Sequence, residues 1–185
     1  ADVEAMVQQA ISHYGRLDIA YNNAGVECQM AAIGEATETD WDRVVSINLK
    51  GIWLCMKHEI PVMVRQGQGA IVNCSSVVGL LGQRNMASYV ASKHGVVGLT
   101  RAAALEYAES AIRVNAVCPA IVDTAMLHRY TGGDAQLAAE LTAQYPTNRI
   151  PRSDEIAEAV LWLCSDKASY VNGHAMVIDG GFSIQ

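Results

Sequence analysis

Segments with helical spacing of apolar residues alternate along the chain with short runs that are apolar throughout. Residues 3–14 follow helical spacing, with apolar side chains at Val3, Val7 and Ile11, and Gly15 ends them. Four short apolar runs bounded by turn residues predict buried strands: 17–21, 70–75, 112–118 and 175–178. Because these strands alternate with helices, the pattern predicts an α/β fold with a parallel sheet covered on both faces.

Longer helices are predicted between the strands. Thr39 is a candidate N-cap for a helix that begins at Asp40 and continues, with a bend near Gly51, to about residue 65. A second helix is predicted over 88–109, and Ser153 is a candidate N-cap for a third that ends at residue 164. The polar stretch 132–146 contains one short predicted helix, and we predict that residues 126–146 form a lid on a single domain, 1–185.

Composition narrows the class of protein. The chain has 185 residues, of which 51% are hydrophobic, and its net charge of −6 argues against a nucleic-acid partner. Its five cysteines lack C-x-x-C and metal-ligand spacing, so we expect free thiols and no metal site. The sequence shows neither a secretory signal nor an uninterrupted apolar run of about 20 residues. We therefore expect a cytoplasmic protein without a membrane partner.

Tyr89 and Lys93 are the first candidates for catalysis. They are four residues apart on a predicted helix and so lie on one face. A free phenol has a pKa near 10, and a neighbouring ammonium favours the phenolate and lowers that pKa. Tyr89 could then exchange a proton with an alcohol or a ketone. The alternative is that the two side chains share a helix surface by chance.

Polar residues also follow two of the predicted strands. Ser76 comes just after the strand 70–75, and Asn22-Asn23-Ala24-Gly25 follows the strand 17–21. In parallel sheets, ligands bind beyond the carboxyl ends of the strands. Ser76 could hold a carbonyl oxygen there, and the small residues could let a flat ring approach the backbone. The alternative for both is an ordinary polar turn.

Asn48 lies within an apolar helical segment. An amide at such a position competes for backbone hydrogen bonds and can bend the helix. Its functional interpretation is an anchor for water, and its structural interpretation is a local kink helped by Gly51.

These motifs, in this order, resemble those of the short-chain dehydrogenases/reductases. Two further stretches match the same family: Arg113-Val114-Asn115-Ala116-Val117-Cys118-Pro119, and Asn172-Gly173 through Asp179-Gly180-Gly181. The resemblance implies a Rossmann-like, doubly wound parallel sheet. It also implies an oxidoreductase that uses NAD or NADP to move a hydride between the cofactor and a secondary alcohol or ketone, assembled as a homodimer or homotetramer.

The resemblance implies catalytic roles for four residues. Tyr89 is expected to be the general acid and base, and Lys93 to lower its pKa and to bind the nicotinamide ribose. Ser76 is expected to orient the substrate oxygen. Asn48 is expected to hold a water molecule that links Lys93 to solvent.

Further residues are expected to contact the cofactor: Asn23, Ala24 and Gly25 on the adenosine side, and Pro119, Val122 and Thr124 near the nicotinamide. The family usually has Pro-Gly where this chain has Pro119-Ala120, and we expect only a small shift of the nicotinamide contacts. In the family, the residue that distinguishes NAD from NADP lies on a strand that we expect to be absent from this chain.

The glycine-rich phosphate loop with which the family begins does not occur in this sequence. We therefore expect the N-terminal strands of the sheet to be absent and the chain to be a fragment that binds dinucleotide poorly on its own. The intact Ser76, Tyr89 and Lys93 favour an enzyme. The alternative is a non-catalytic, truncated member of the fold that acts only in oligomer assembly.

Overall fold

The computed structural model describes residues 2–185, which form one sheet and seven α-helices. The strands are β1 (Ile19–Asn22), β2 (Gly69–Cys74), β3 (Ile112–Pro119) and β4 (Ala175–Ile178). The helices are α1 (Asp2–Tyr14), α2 (Glu38–Val45), α3 (Gly51–Gln66), α4 (Ala87–Glu106), α5 (Ala125–Thr131), α6 (Ala135–Ala143) and α7 (Ser153–Cys164).

The four strands are parallel and lie in the order β1-β2-β3-β4. Ile19 pairs with Ala70, Gly69 with Ile112 and Ala116 with Ala175. Helices connect each strand to the next, since parallel neighbours require a crossover. The predicted α/β fold with a parallel sheet is confirmed, and all carboxyl ends of the strands meet at one edge.

Each face of the sheet carries its own core. Ile71 of β2 lies in a cluster with apolar residues of α3 and α4, whereas the next residue, Val72, packs with Val160 and Leu163 of α7. This alternation follows from the two-residue repeat of a strand. The strands are apolar at successive positions because both of their faces are buried.

Several predicted boundaries differ from the structure. Thr37, not Thr39, is the N-cap of α2, because its hydroxyl accepts a hydrogen bond from the Asp40 amide at 3.2 Å. Arg152 is the N-cap of α7, and Ser153 is the first helical residue; its hydroxyl donates to the Asp123 carbonyl instead. The predicted helix 88–109 is shorter at its end, since α4 stops at Glu106 and a 3₁₀ turn follows.

The bend predicted near Gly51 is a π-helical turn over Ser46–Lys50 that joins α2 to α3. The turn contains Asn48, whose side chain is fully buried. Such single π turns within α-helices are frequent at functional sites. The turn directs Asn48 towards the carboxyl edge of the sheet, where its amide meets the loop after β1.

The predicted lid segment contains two helices. The short helix expected within 132–146 is α6, and α5 before it was not predicted. No helix among residues 2–185 is both long enough and apolar enough to span a bilayer. Association into a dimer or tetramer through α3 and α4 stays a prediction, and Trp53 and Leu105 on these helices are exposed.

A buried carboxyl group lies between α3 and β1. Glu59 of α3 is only 3% exposed, and its Oε2 accepts a hydrogen bond from Asn22 Nδ2 at 3.1 Å. The same amide group donates to Asn73 Oδ1 at 3.0 Å, and Asn73 in turn donates to Thr100 of α4. Burial raises the pKa of Glu59 to about 7, although the bond from Asn22 opposes the rise.

We predict that Glu59 makes the stability of the protein depend on pH. Because its folded pKa lies above the unfolded value of 4.5, its stabilising contribution is complete below pH 4.5 and is lost as pH rises to about 7. The loss amounts to roughly 3 kcal/mol at about 1.4 kcal/mol for each unit of pKa. Glu59→Gln should remove this decline in urea unfolding between pH 4.5 and 8, whereas Glu106→Gln, at an exposed position of α4, should keep it. An unchanged decline in Glu59→Gln would contradict the assignment.

Candidate active site

Lys93 lies at the carboxyl end of β2, almost completely buried at 3% exposure. Its Nζ donates a hydrogen bond to the Cys74 carbonyl oxygen at 2.8 Å, so the ammonium meets the last residue of the strand. Ser75 Oγ donates to the Lys93 carbonyl oxygen at 2.8 Å and ties the same turn of α4 to the strand. Burial lowers the pKa of Lys93, since desolvation disfavours the charged form.

Tyr89 and Ser76 lie beside Lys93. The Nζ of Lys93 is 5.5 Å from the centroid of the Tyr89 ring, one helical turn away as their spacing predicts. Ser76 follows β2, caps a short 3₁₀ turn, and donates from Oγ to the Pro119 carbonyl oxygen at 3.2 Å. The structure therefore places the hydroxyl, the phenol and the ammonium together at one edge of the sheet.

The pKa of Tyr89 differs from the expectation. Burial raises it, and the Ser76 hydroxyl acts against this rise by hydrogen bonding. The Lys93 ammonium lies over the ring and bonds to Cys74, so the effect of its charge on the phenolate is smaller than the effect of burial. The phenol is consequently protonated at neutral pH, which suits a proton donor.

Asn48 fixes the loop after β1. Its Oδ1 accepts from the Val26 amide at 2.8 Å and its Nδ2 donates to the Val26 carbonyl at 2.9 Å, so one side chain satisfies both polar groups of that residue. A Cβ on Gly25 would lie 3.3 Å from Asn48 Oδ1 and 3.7 Å from Lys93 Nζ. The glycine thus leaves space open beside the ammonium, while Asn23 and Ala24 before it are exposed.

The residues expected near the nicotinamide lie after β3. Pro119 ends the strand, and Ala120 continues its pairing by donating to the Ile178 carbonyl. Ala120 is not among the residues with positive φ, so a Cβ is tolerated where the family usually has glycine. Val122 is partly buried, and Thr124 precedes α5 and donates to the Val122 carbonyl at 3.2 Å.

Sequence reasoning missed several groups at this site. The Cys74 carbonyl belongs to the backbone and has no signature in the sequence. Gly79 does have a signature in the sequence, because it is a glycine three residues after Ser76. A Cβ at this position would lie 2.8 Å from the Lys93 carbonyl oxygen, so the glycine permits a close approach to α4. Glu27 and Arg129 form an ion pair at 3.0 Å across the loop after β1 and α5, 102 residues apart.

A family model described as enoyl-(acyl carrier protein) reductase matches residues 1–183. Cyclohexanol dehydrogenase of an Acinetobacter species is 40% identical over 182 residues, which are 98% of this chain and 70% of that protein. The chain belongs to the short-chain dehydrogenase/reductase family. Cis-4-hydroxycyclohexanecarboxylate dehydrogenase of Sinomonas cyclohexanicum is 43% identical over 98% of this chain and 72% of its own length.

Solved structures of short-chain dehydrogenases/reductases have the same fold. Levodione reductase superposes with a TM-score of 0.95 at 41% identity, over 98% of this chain and 72% of its own. ElxO with NADP bound superposes with a TM-score of 0.93 at 31% identity, over 99% of this chain and 74% of its own. The expected Rossmann-like architecture is therefore confirmed, and the relatives are dehydrogenases and reductases of alcohols and ketones.

We predict that Asn48→Ala destabilises the protein by about 1–3 kcal/mol, the cost of leaving a buried polar group without its partner. The variant loses the amide that satisfies both backbone groups of Val26. Urea unfolding measures the effect. Asn23→Ala is the control, since Asn23 is exposed and should change stability by no more than about 0.5 kcal/mol. Equal stability of the two variants would show that the amide does not anchor the loop.

Proposed function

We propose that the protein is an NAD(P)-dependent oxidoreductase that interconverts secondary alcohols and ketones. The observation that carries this proposal is the convergence of Ser76, Tyr89 and Lys93 at the carboxyl end of β2, with Lys93 held by the strand itself. A merely structural region has no need for a buried ammonium beside a phenol, because burying a charge is costly. The convergence also favours catalysis over the alternative of a non-catalytic assembly subunit.

The residues present fit a nicotinamide cofactor. Gly25 leaves open space beside Lys93, and the residues before it are small or polar. An ammonium carries three protons, of which the Cys74 carbonyl accepts one. Lys93 can therefore also donate to a ribose, and Val122 and Thr124 after β3 are the residues proposed to contact the nicotinamide. The bound cofactor supplies or accepts the hydride, and ElxO has been solved with NADP.

Tyr89 moves the proton. In ketone reduction its phenol donates a proton to the carbonyl oxygen, and in alcohol oxidation its phenolate accepts the proton of the hydroxyl. Ser76 Oγ holds the same oxygen by turning its hydrogen bond from the Pro119 carbonyl to the substrate. The positive charge of Lys93 stabilises the phenolate that is formed or consumed.

We predict that Tyr89→Phe lowers turnover about 10²- to 10⁴-fold in both directions, as expected for loss of a general acid and base. Initial rates with NAD or NADP and a secondary alcohol or ketone measure the loss. Tyr107→Phe is the control, since Tyr107 caps the far end of α4. Because burial raises the pKa of Tyr89, alcohol oxidation by the natural protein should accelerate as pH rises, whereas ketone reduction should not. Near-normal activity of Tyr89→Phe would exclude Tyr89 as the proton donor.

We further propose that the substrate oxygen lies on a six-membered carbon ring. The names of two relatives at 40% and 43% identity state ring alcohols: cyclohexanol and cis-4-hydroxycyclohexanecarboxylate. The matched family model instead names an acyl carrier protein substrate.

Matched substrates test the ring preference. We predict that kcat/KM is at least about tenfold higher for cyclohexanol than for 3-hexanol, which has the same number of carbons, because a rigid ring loses less freedom on binding. A 3-oxoacyl thioester should be a poorer substrate for reduction than cyclohexanone. Preference for the thioester would assign the protein to acyl-chain chemistry, and equal rates for the two alcohols would refute the ring preference.

A further inference from the structure

The loop after β1, residues 26–31, is held rigidly on one side. The side chains that hold it belong to α2 and the π-helical turn: Asn48 binds Val26, Asp40 accepts from the Gln29 amide at 3.0 Å, and Arg43 donates to the Glu27 carbonyl at 2.7 Å. The Ala31 amide donates to the Asn85 carbonyl just before α4. The loop is therefore held in one position beside α4, the helix that carries Tyr89 and Lys93.

The other side of this loop faces the lid helix α5. Arg129 of α5 forms two parallel hydrogen bonds to the Glu27 carboxylate, from Nε to Oε1 at 3.0 Å and from Nη2 to Oε2 at 3.2 Å. The next residue, Tyr130, contacts Met30 of the loop through its hydroxyl, 3.4 Å from the sulfur. Two successive residues of α5 thus meet the loop, one by charge and one by contact with an apolar side chain.

Both ends of this contact adjoin the proposed active site. Glu27 lies close enough to Tyr89 for its charge to raise the pKa of the phenol, and α5 begins directly after Thr124. Thr124 follows Pro119, whose carbonyl accepts from Ser76, and the loop of Glu27 is tied to the residue before Met86 at the start of α4. Helix α5 therefore starts near Ser76 and is joined through Arg129 to the loop beside α4. Among residues 2–185, this is the one ion pair that joins α5 or α6 to an element before β3.

We propose that the Glu27–Arg129 ion pair is a latch that holds α5 closed across the catalytic pocket and sets the affinity for compact ring substrates. This inference rests on the proposed function. The loop is rigid and α5 is attached to it at its surface, so loss of the pair frees α5 while the bonds that position Ser76 and Lys93 remain. Arg129→Gln also keeps the Glu27 charge near Tyr89. Glu27 and Arg129 are thus positioning residues, and their effect falls on substrate binding more than on proton transfer.

A double-mutant cycle tests the latch. We measure kcat and KM for cyclohexanol with the natural protein, Glu27→Gln, Arg129→Gln and the double variant. Each single change should raise KM about two- to fivefold, the range typical of exposed ion pairs. Arg129→Gln, which leaves the Glu27 charge near Tyr89, should alter kcat less than about twofold. The double variant should equal either single variant, because the interaction is already lost. Arg129→Lys, which keeps the charge but not the two parallel bonds, should lie between Arg129→Gln and the natural protein.

Hydrogen exchange provides a readout that needs no turnover. Amides of residues 125–131 should exchange faster in both single variants than in the natural protein, and the double variant should match the single variants. Their exchange should be unchanged in Arg16→Gln. Arg16 is the matched control, because it forms an exposed ion pair with Asp18 at the amino end of β1. Unchanged KM, additive effects in the double variant, or unchanged exchange of α5 would overturn the latch. An inactive natural protein whose variants still show faster, non-additive exchange would refute the proposed function and leave the latch supported.

Discussion

The Lys93 ammonium lies almost out of water at the point where β2 ends. An isolated ammonium in such a place is strongly unfavourable, so its hydrogen bond to the Cys74 carbonyl is obligatory for the fold as well as for the site. That bond fixes the position of α4 along β2. Since Tyr89 is one turn away on α4 and Ser76 is two residues beyond Cys74, the same bond also determines how the phenol and the hydroxyl face each other.

Buried amides extend this constraint across the carboxyl edge of the sheet. Asn22 and Asn73 are paired in register on β1 and β2, and hydrogen bonds link them to Glu59 of α3 and Thr100 of α4. Within the part of the chain that the structure describes, every buried side-chain nitrogen or oxygen has a hydrogen-bond partner. A fully satisfied network permits few alternative arrangements, because shifting one strand would leave several polar groups unpaired.

The elements that were predictable from the sequence are those whose signal is local. The spacing of apolar residues located all four strands within two residues. Ser76 was indicated by its position after a strand, Tyr89 and Lys93 by their helical spacing, and Asn48 by its place in an apolar helix. Cap residues were less predictable, because Thr37 and Thr39 are chemically equivalent and only the backbone geometry selects one. The upward shift of the Tyr89 pKa was not predictable from the sequence, since burial is a property of the folded chain. The Glu27–Arg129 pair spans 102 positions and leaves no local pattern.

The site therefore divides into a rigid half and an adjustable half. Ser76, Tyr89 and Lys93 are held by backbone groups of β2, β3 and α4, which cannot move without breaking the sheet. Helix α5 is attached instead by side chains at the surface, and these can be exchanged without disturbing the core. Proton transfer requires accurate positions of the reacting groups. The residues that recognise the substrate, in contrast, differ among relatives that share one reaction but act on substrates of different shape. The proposed division, with proton transfer at the strand ends and recognition on α5, meets both requirements, because changes at Arg129 leave the bond between Lys93 and Cys74 intact.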